Sequence, residues 1–166
     1  QILDSAPWPV NNVKIYGADG GPYGDSGDAV DRFWRNLLAG LASSRFHRPT
    51  AGIGLSDQAA QNLTAVRLVE ERAQLWNLEP HNDLLSQRTD DEAYLAADPG
   101  ARYVLYFTDG GSVGVDLTGG TGDFRLEWID IDQGAWTDES QVAAGQTITI
   151  DAPGTGPWVA VLDPAP

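Results

Sequence analysis

Apolar residues follow two different rhythms along this chain. Within residues 9–16, Val13 and Ile15 alternate with Lys14 and Tyr16, a period of two that predicts a short strand. The Gly- and Asp-rich stretch 17–27 predicts a loop. A helix is expected to begin near Ser26 or Asp28, where aspartates suit the positive end of the helix dipole. Val30, Phe33, Trp34, Leu37, Leu38 and Leu41 then recur at helical spacing. Residues 42–46 predict a second short strand, which runs into His47-Arg48-Pro49 and a loop carrying Gly52 and Gly54. A longer helix, capped at Ser56 or Asp57, places Ala59, Leu63, Val66, Val69, Ala73 and Trp76 on one face and is closed by Pro80. Strand, helix, strand, helix is the repeating unit of parallel α/β folds.

From Asp91 the period changes. Residues 92–97 and 102–108 flank Asp98-Pro99-Gly100, a turn signal between two strand-like runs. Residues 112–117, 123–130, 146–151 and 157–162 are further strand candidates, parted by Gly-containing turns. Short strands at this spacing predict a small antiparallel β-sandwich. The predicted fold class is therefore α/β followed by all-β, divided into residues 1–90 and 91–166.

Composition narrows the function. The formal charge is −14 over 166 residues, and Lys14 is the only lysine. So acidic a surface repels phosphate backbones and anionic lipid, so nucleic acid is not an expected partner. No apolar run nears the roughly 18–20 residues that cross a bilayer, so no membrane insertion is expected. Cysteine is absent, which excludes disulfides, thiolate metal sites and cysteine nucleophiles. The chain opens on Gln1, has no methionine and shows no signal-peptide pattern, which suggests a mature or trimmed chain.

Several short motifs in the second half carry a resemblance. They are Tyr103-Val-Leu-Tyr-Phe107, Val113-Gly-Val-Asp-Leu117, Trp128-Ile-Asp130 with Gly134, and Trp158-Val-Ala-Val161. Together they resemble the C-terminal β-sandwich, labelled collagen-binding, that follows the catalytic barrel of apiosidase-like glycoside hydrolases. Upstream, Pro9-Val-Asn-Asn-Val-Lys14, Phe33-Trp34-Arg35, Gly40 and the helix reaching Trp76 resemble the last two strand–helix units of that (β/α)8 barrel. The resemblance implies a partial barrel segment joined to an intact sandwich. Residues 1–90 fall short of the roughly 200 that a barrel needs. Two such units would leave parallel edges and apolar faces to be covered by a missing barrel half on another chain, or by self-association.

Glycosidases need two carboxyl groups, one on each side of the scissile bond. The resemblance puts one on an early strand outside this sequence and the other at the position of Lys14, which cannot serve as a carboxylate. The chain alone is thus expected to be inactive, with no catalytic residue, metal or cofactor. Asp19 is the nearest acid if the alignment slips. Lys14, beside Tyr16, could meet a carboxylate-bearing sugar or pair with a neighbouring aspartate. Arg45, His47 and Arg48 follow the second strand, where barrels place substrate contacts. Arginine matches carboxylates bidentately and histidine titrates near neutral pH; alternatively the cluster ties the Gly52–Gly54 loop to aspartates.

Asp130-Ile-Asp132-Gln-Gly134 resembles the start of a calcium loop, but a tight turn explains it better, since no Glu closes it. Trp8 and Trp136 are candidates for exposed stacking on sugar rings, whereas Trp34, Trp128 and Trp158 fall on apolar faces. The expected function is carbohydrate binding within a glycoside-hydrolase-like protein, secreted or on the cell surface. The alternative is a non-catalytic, assembly-forming protein on the same scaffold.

Overall fold

The structure, a computed structural model, describes residues 9–18 and 20–165. Strand β1 (Asn11–Ile15), helix α1 (Ser26–Leu38), strand β2 (Ser43–Phe46) and helix α2 (Asp57–Ala73) follow in the predicted order. Local chemistry sets where the helices start. At α1 the Asp25 carboxylate accepts from the Asp28 N–H at 3.1 Å, and the Asp28 carboxylate accepts from the Asp25 N–H at 2.9 Å, a reciprocal capping box. At α2 the Ser56 hydroxyl accepts from the Ala59 N–H at 3.1 Å.

The end of α2 differs from expectation. The helix stops at Ala73, where Gln74 turns into the left-handed region at φ 55°, well before Pro80. Trp76 falls in a following 3₁₀ turn and is 69% exposed. The buried stripe of α2 is Ala59, Asn62, Ala65, Val69 and Ala73, which leaves Leu63 51% exposed. Small residues win the stripe because they let the helix approach its neighbours closely. Asn62 joins it because the Trp34 indole N–H donates to its carboxamide oxygen at 2.8 Å.

The second half is nearly all strand: β3 (Glu79–Pro80), β4 (Leu85–Ser86), β5 (Ala93–Asp98), β6 (Arg102–Phe107), β7 (Ser112–Asp116), β8 (Asp123–Asp130), β9 (Ala135–Ala143), β10 (Thr147–Asp151) and β11 (Trp158–Pro164). They form a six-stranded antiparallel sheet in the order β3-β5-β6-β11-β8-β9 and a three-stranded sheet in the order β10-β7-β4. Two-residue β3 and β4 and the whole of β9 were not predicted. Strand β9 reads Ala-Trp-Thr-Asp-Glu-Ser-Gln-Val-Ala, is largely exposed and lies at a sheet edge. An edge strand with charged side chains carries little hydrophobic period.

The six-stranded sheet is buried on both faces. Leu105, Phe107 and Leu162 face the three-stranded sheet, while Val104, Tyr106 and Val161 face the helices. That is why Tyr103–Phe107 reads as an unbroken apolar run. Trp34 stacks on Tyr106 with ring centroids 5.8 Å apart, which seats α1 on the sheet. The six-stranded sheet thus covers most of the apolar stripes of the two helices, while Leu63 of α2 stays exposed. The strands β1 and β2 form a separate two-stranded parallel sheet, and among the described residues no strand pairs with the outer edge of either.

Candidate functional site

The two parallel strands end side by side. Ile15 pairs with Phe46, and the His47 N–H donates to the Ile15 carbonyl at 2.8 Å. The next residue of β1 and the next of β2 are thus neighbours. Their rings stack: Tyr16 lies 4.6 Å from His47, with 18° between the planes. Tyr23 stacks on the other face of Tyr16 at 4.8 Å and 26°. The result is a three-ring pile beyond the C-terminal ends of the strands, with Tyr23 58% exposed at its outer end.

Two loops hold the pile. Arg32, on α1, donates to the Tyr16 carbonyl at 3.2 Å and to the Tyr23 carbonyl at 2.5 Å, which closes the glycine-rich loop over the first ring. On the other side the Gly54 N–H donates to the His47 carbonyl at 2.8 Å. A Cβ on Gly54 would lie 2.5 Å from that same carbonyl oxygen, so only glycine lets the loop wrap this closely. The substitution Gly54→Ala should therefore push His47 off Tyr16. NMR ring-current shifts of Tyr16 should move toward random-coil values while sheet amides hold theirs; unmoved Tyr16 signals would count against this account.

Lys14, Arg45, His47 and Arg48 all line one groove of about 630 Å³ between β2 and α2. Its remaining wall is largely apolar, including Phe33, Leu55 and Leu63. No carboxylate lines it among the described residues, and no described carboxylate forms an ion pair with Lys14, Arg45 or Arg48. Arg45 instead donates from Nε to the Val13 carbonyl at 3.4 Å. The Gly52–Gly54 loop is tied by backbone N–H groups to the Arg48 and His47 carbonyls. Lys14 sits where the pairing of β1 with β2 slips, between Asn12 and Ile15.

The structure thus brings together Lys14, Tyr16, Arg45, His47 and Arg48. Asp19 and Trp8 lie outside the described residues. Tyr23 was missed in the sequence because only loop closure delivers it; its one signal is an aromatic ring between Pro22 and Gly24 in a glycine-rich stretch. Trp136 is no exposed platform: it is half-buried with the Arg72 guanidinium 5.1 Å above its ring. Residues 130–134 form a turn in which the Gln133 N–H donates to the Asp130 carboxylate at 3.1 Å. Among the described residues no cluster of three or more His, Cys, Asp or Glu could hold a metal ion.

Two further titratable clusters join layers rather than line the groove. Burial raises the Asp31 carboxyl above its ordinary range, against the opposing hydrogen bond from the Tyr106 hydroxyl and the nearby Arg35 charge. Burial and the hydrogen bond to Asp91 push Tyr94 up to about 12. Asp163 accepts from Arg72 at 3.1 Å and from Arg125 at 2.8 Å. Burial works to raise its carboxyl, but those hydrogen bonds and charges win and hold it below its ordinary value.

No family model matches the chain, and no curated protein matches it in sequence. Solved structures match it in fold. One glycoside hydrolase superposes with a TM-score of 0.72 at 12% identity, over 95% of this chain and 42% of that one. A glycoside hydrolase of family 5 from Bacteroides vulgatus gives a TM-score of 0.68 at 12% identity, over 93% of this chain and 41% of that one. The chain thus spans less than half the length of these structures and has the fold of a portion of a glycoside hydrolase.

Proposed function

We propose that this chain is a portion of a glycoside-hydrolase-like protein and supplies one wall of a carbohydrate site, without being catalytically complete by itself. The observation that carries this reading is the Tyr16–Tyr23–His47 ring pile at the C-terminal ends of two parallel strands. Sugar rings present apolar C–H faces that pack on aromatic faces, and an apolar surface with a few placed polar groups is the usual make-up of a small-molecule site. The strand ends are also where barrel folds carry their sites. Hydrolysis needs a pair of carboxyl groups, and none lines the groove among the described residues.

The finer placement, with apiosidase-like enzymes and their collagen-labelled sandwich, rests on the motifs Tyr103–Phe107, Val113–Leu117, Trp128–Asp130 and Trp158–Val161. A glycan ligand suits a protein secreted or held at the cell surface. The test is a glycan array followed by titration with pectic and other plant-type oligosaccharides, together with a hydrolysis assay. Binding without turnover is expected. Tyr23→Ala, which removes the exposed outer ring, and Tyr16→Ala, which removes the ring that supports it, should each weaken binding by about tenfold, of the order expected from a lost aromatic contact. Absence of glycan binding, or binding by both variants as tight as the parent's, would overturn the carbohydrate reading. Turnover by the chain alone would overturn the claim that it lacks the catalytic pair.

A further inference from the structure

We propose that the contact between Asp31 and Tyr106 is a proton-linked fastener: it holds α1 on the six-stranded sheet most firmly in acid, relaxes toward neutral pH, and through Arg32 tightens or loosens the ring pile. This inference rests on the geometry of the pile and not on the carbohydrate reading, so each can fail alone.

Helix α1 stands between the sheet and the pile. Its Trp34 stacks on Tyr106 of β6, and its Phe33 stacks on Phe46 of β2 with centroids 4.5 Å apart. It also carries the glycine-rich loop. A Cβ on Gly17 would lie 2.3 Å from the Asp25 carbonyl oxygen and 3.2 Å from the Ala29 Cβ, so the loop starts in direct contact with the helix. Arg32, which donates to the Tyr16 and Tyr23 carbonyls, is the residue next to Asp31. A shift of α1 on the sheet therefore moves the clamp that holds Tyr23 against Tyr16.

Asp31 is where this interface can take up a proton. Its half-buried carboxylate accepts a hydrogen bond from the Tyr106 hydroxyl, which burial and Asp31 itself hold far above the ordinary phenol range. A neutral phenol leaves the carboxylate charge uncompensated. Arg35 offsets it in part, because its guanidinium pairs with Asp91 at 3.4 Å and lies 4.8 Å over the Tyr94 ring. Two acids act in the opposite sense: Asp28, one turn back on α1, and Asp91, in the segment before β5. Tyr94 of β5 donates its hydroxyl to Asp91, while Arg88 lies 6.0 Å from the Tyr94 ring centre and donates to the Ala93 carbonyl at 2.6 Å. Burial and the neighbouring acids thus favour the protonated carboxyl and raise it above its ordinary 3.8. The docked helix then keeps a proton that the undocked helix releases. Docking is strongest below pH 3.8 and weakens as the pH rises through the folded value. The sign is opposite to that of Asp163, whose contribution is lost in acid.

The test is amide hydrogen exchange read by NMR on the whole chain, parent against Asp31→Asn, at pH 7 and at pH 3.5. Asparagine is a neutral isostere whose carboxamide oxygen still accepts from Tyr106. At pH 7 the α1 amides of the variant should be protected about fivefold or more beyond those of the parent, the lower end of the usual coupling between linked sites. At pH 3.5 the gap should close. The Gly17 and Gly24 amides, which donate to the Ala51 and Gly21 carbonyls at 3.2 and 3.0 Å, should follow α1. With Arg32→Ala, at an exposed position, α1 should keep its dependence on Asp31 while the two glycine amides lose theirs. Equal α1 protection in parent and Asp31→Asn at pH 7 would overturn the proposal. So would a gap of the same size at pH 3.5, or glycine amides that do not follow α1. No glycan is present, so failure here leaves the carbohydrate reading standing, and a failed glycan array leaves this inference standing.

Discussion

Replacing Trp34 with alanine is expected to cost the protein most of its stability. The indole is fully buried, stacks on Tyr106 of β6, and donates to the buried Asn62 of α2. One side chain on α1 thus touches both the other helix and the sheet. Removing a buried tryptophan costs about 3–5 kcal/mol in lost burial and cavity formation. Leaving the Asn62 carboxamide oxygen without its donor adds about 1–3 kcal/mol. Against a typical total of about 5–15 kcal/mol, the variant should be unfolded or barely folded. Trp34→Phe keeps a ring near Tyr106 while deleting the donor and the smaller part of the buried volume, so it weights the loss toward the hydrogen bond. It should lose about 1–3 kcal/mol in urea unfolding, and adding Asn62→Leu should restore part of the loss. A Trp34→Phe variant as stable as the parent would show that the buried hydrogen bond contributes nothing.

The second large effect is expected at Arg72. This α2 residue reaches Glu127 on β8 at 2.5 Å and Asp163 on β11 at 3.1 Å, and lies over the Trp136 ring of β9. Breaking a fully buried pair costs about 3–5 kcal/mol, and an exposed one about 0–1. The Arg72 cluster is mostly buried, so Arg72→Ala should cost about 2–4 kcal/mol. The loss should depend on pH. Asp163 has a folded pKa below its ordinary 3.8, so its contribution is present above that value and fades as pH falls through the folded pKa. Urea unfolding at neutral pH should show the full difference between parent and Arg72→Ala, and the difference should shrink below pH 3.8. A gap that stays constant down to pH 2 would assign the effect to packing of the arginine stem instead.

These two residues also show where sequence reading stops. Trp34 is legible as a core position from its helical spacing with Val30 and Leu38. Its partner is not, because Asn62 reads as a polar position on a helix that the apolar rhythm phases through Leu63 and Val66. The Arg72–Asp163 contact spans 91 residues of chain, and no local pattern connects them. Strand β9 escaped for a related reason: its stability comes from pairing with β8, while its own residues are polar and open to water. At the candidate site, Lys14, Tyr16, Arg45, His47 and Arg48 could be found by their places after or within two strands. Tyr23 could not, because it reaches the pile only through a loop that Arg32 clamps.

By itself the sequence determined the elements whose signals are local. A helix start near Ser26 and a cap at Ser56, a strand over the apolar run Tyr103–Phe107, and glycine turns between the strands that follow are all legible locally. These depend on backbone hydrogen bonds and burial within a few residues, so they survive without knowledge of the rest. Only the tertiary structure decided what the elements do to one another. It laid both helices on the six-stranded sheet, diverted the chain after α2 away from β2, and so left the outer edge of β2 without a strand partner among the described residues, beside three cations. Those outcomes depend on contacts between distant residues, whose free energy is shared among many side chains and written in no single stretch of the chain.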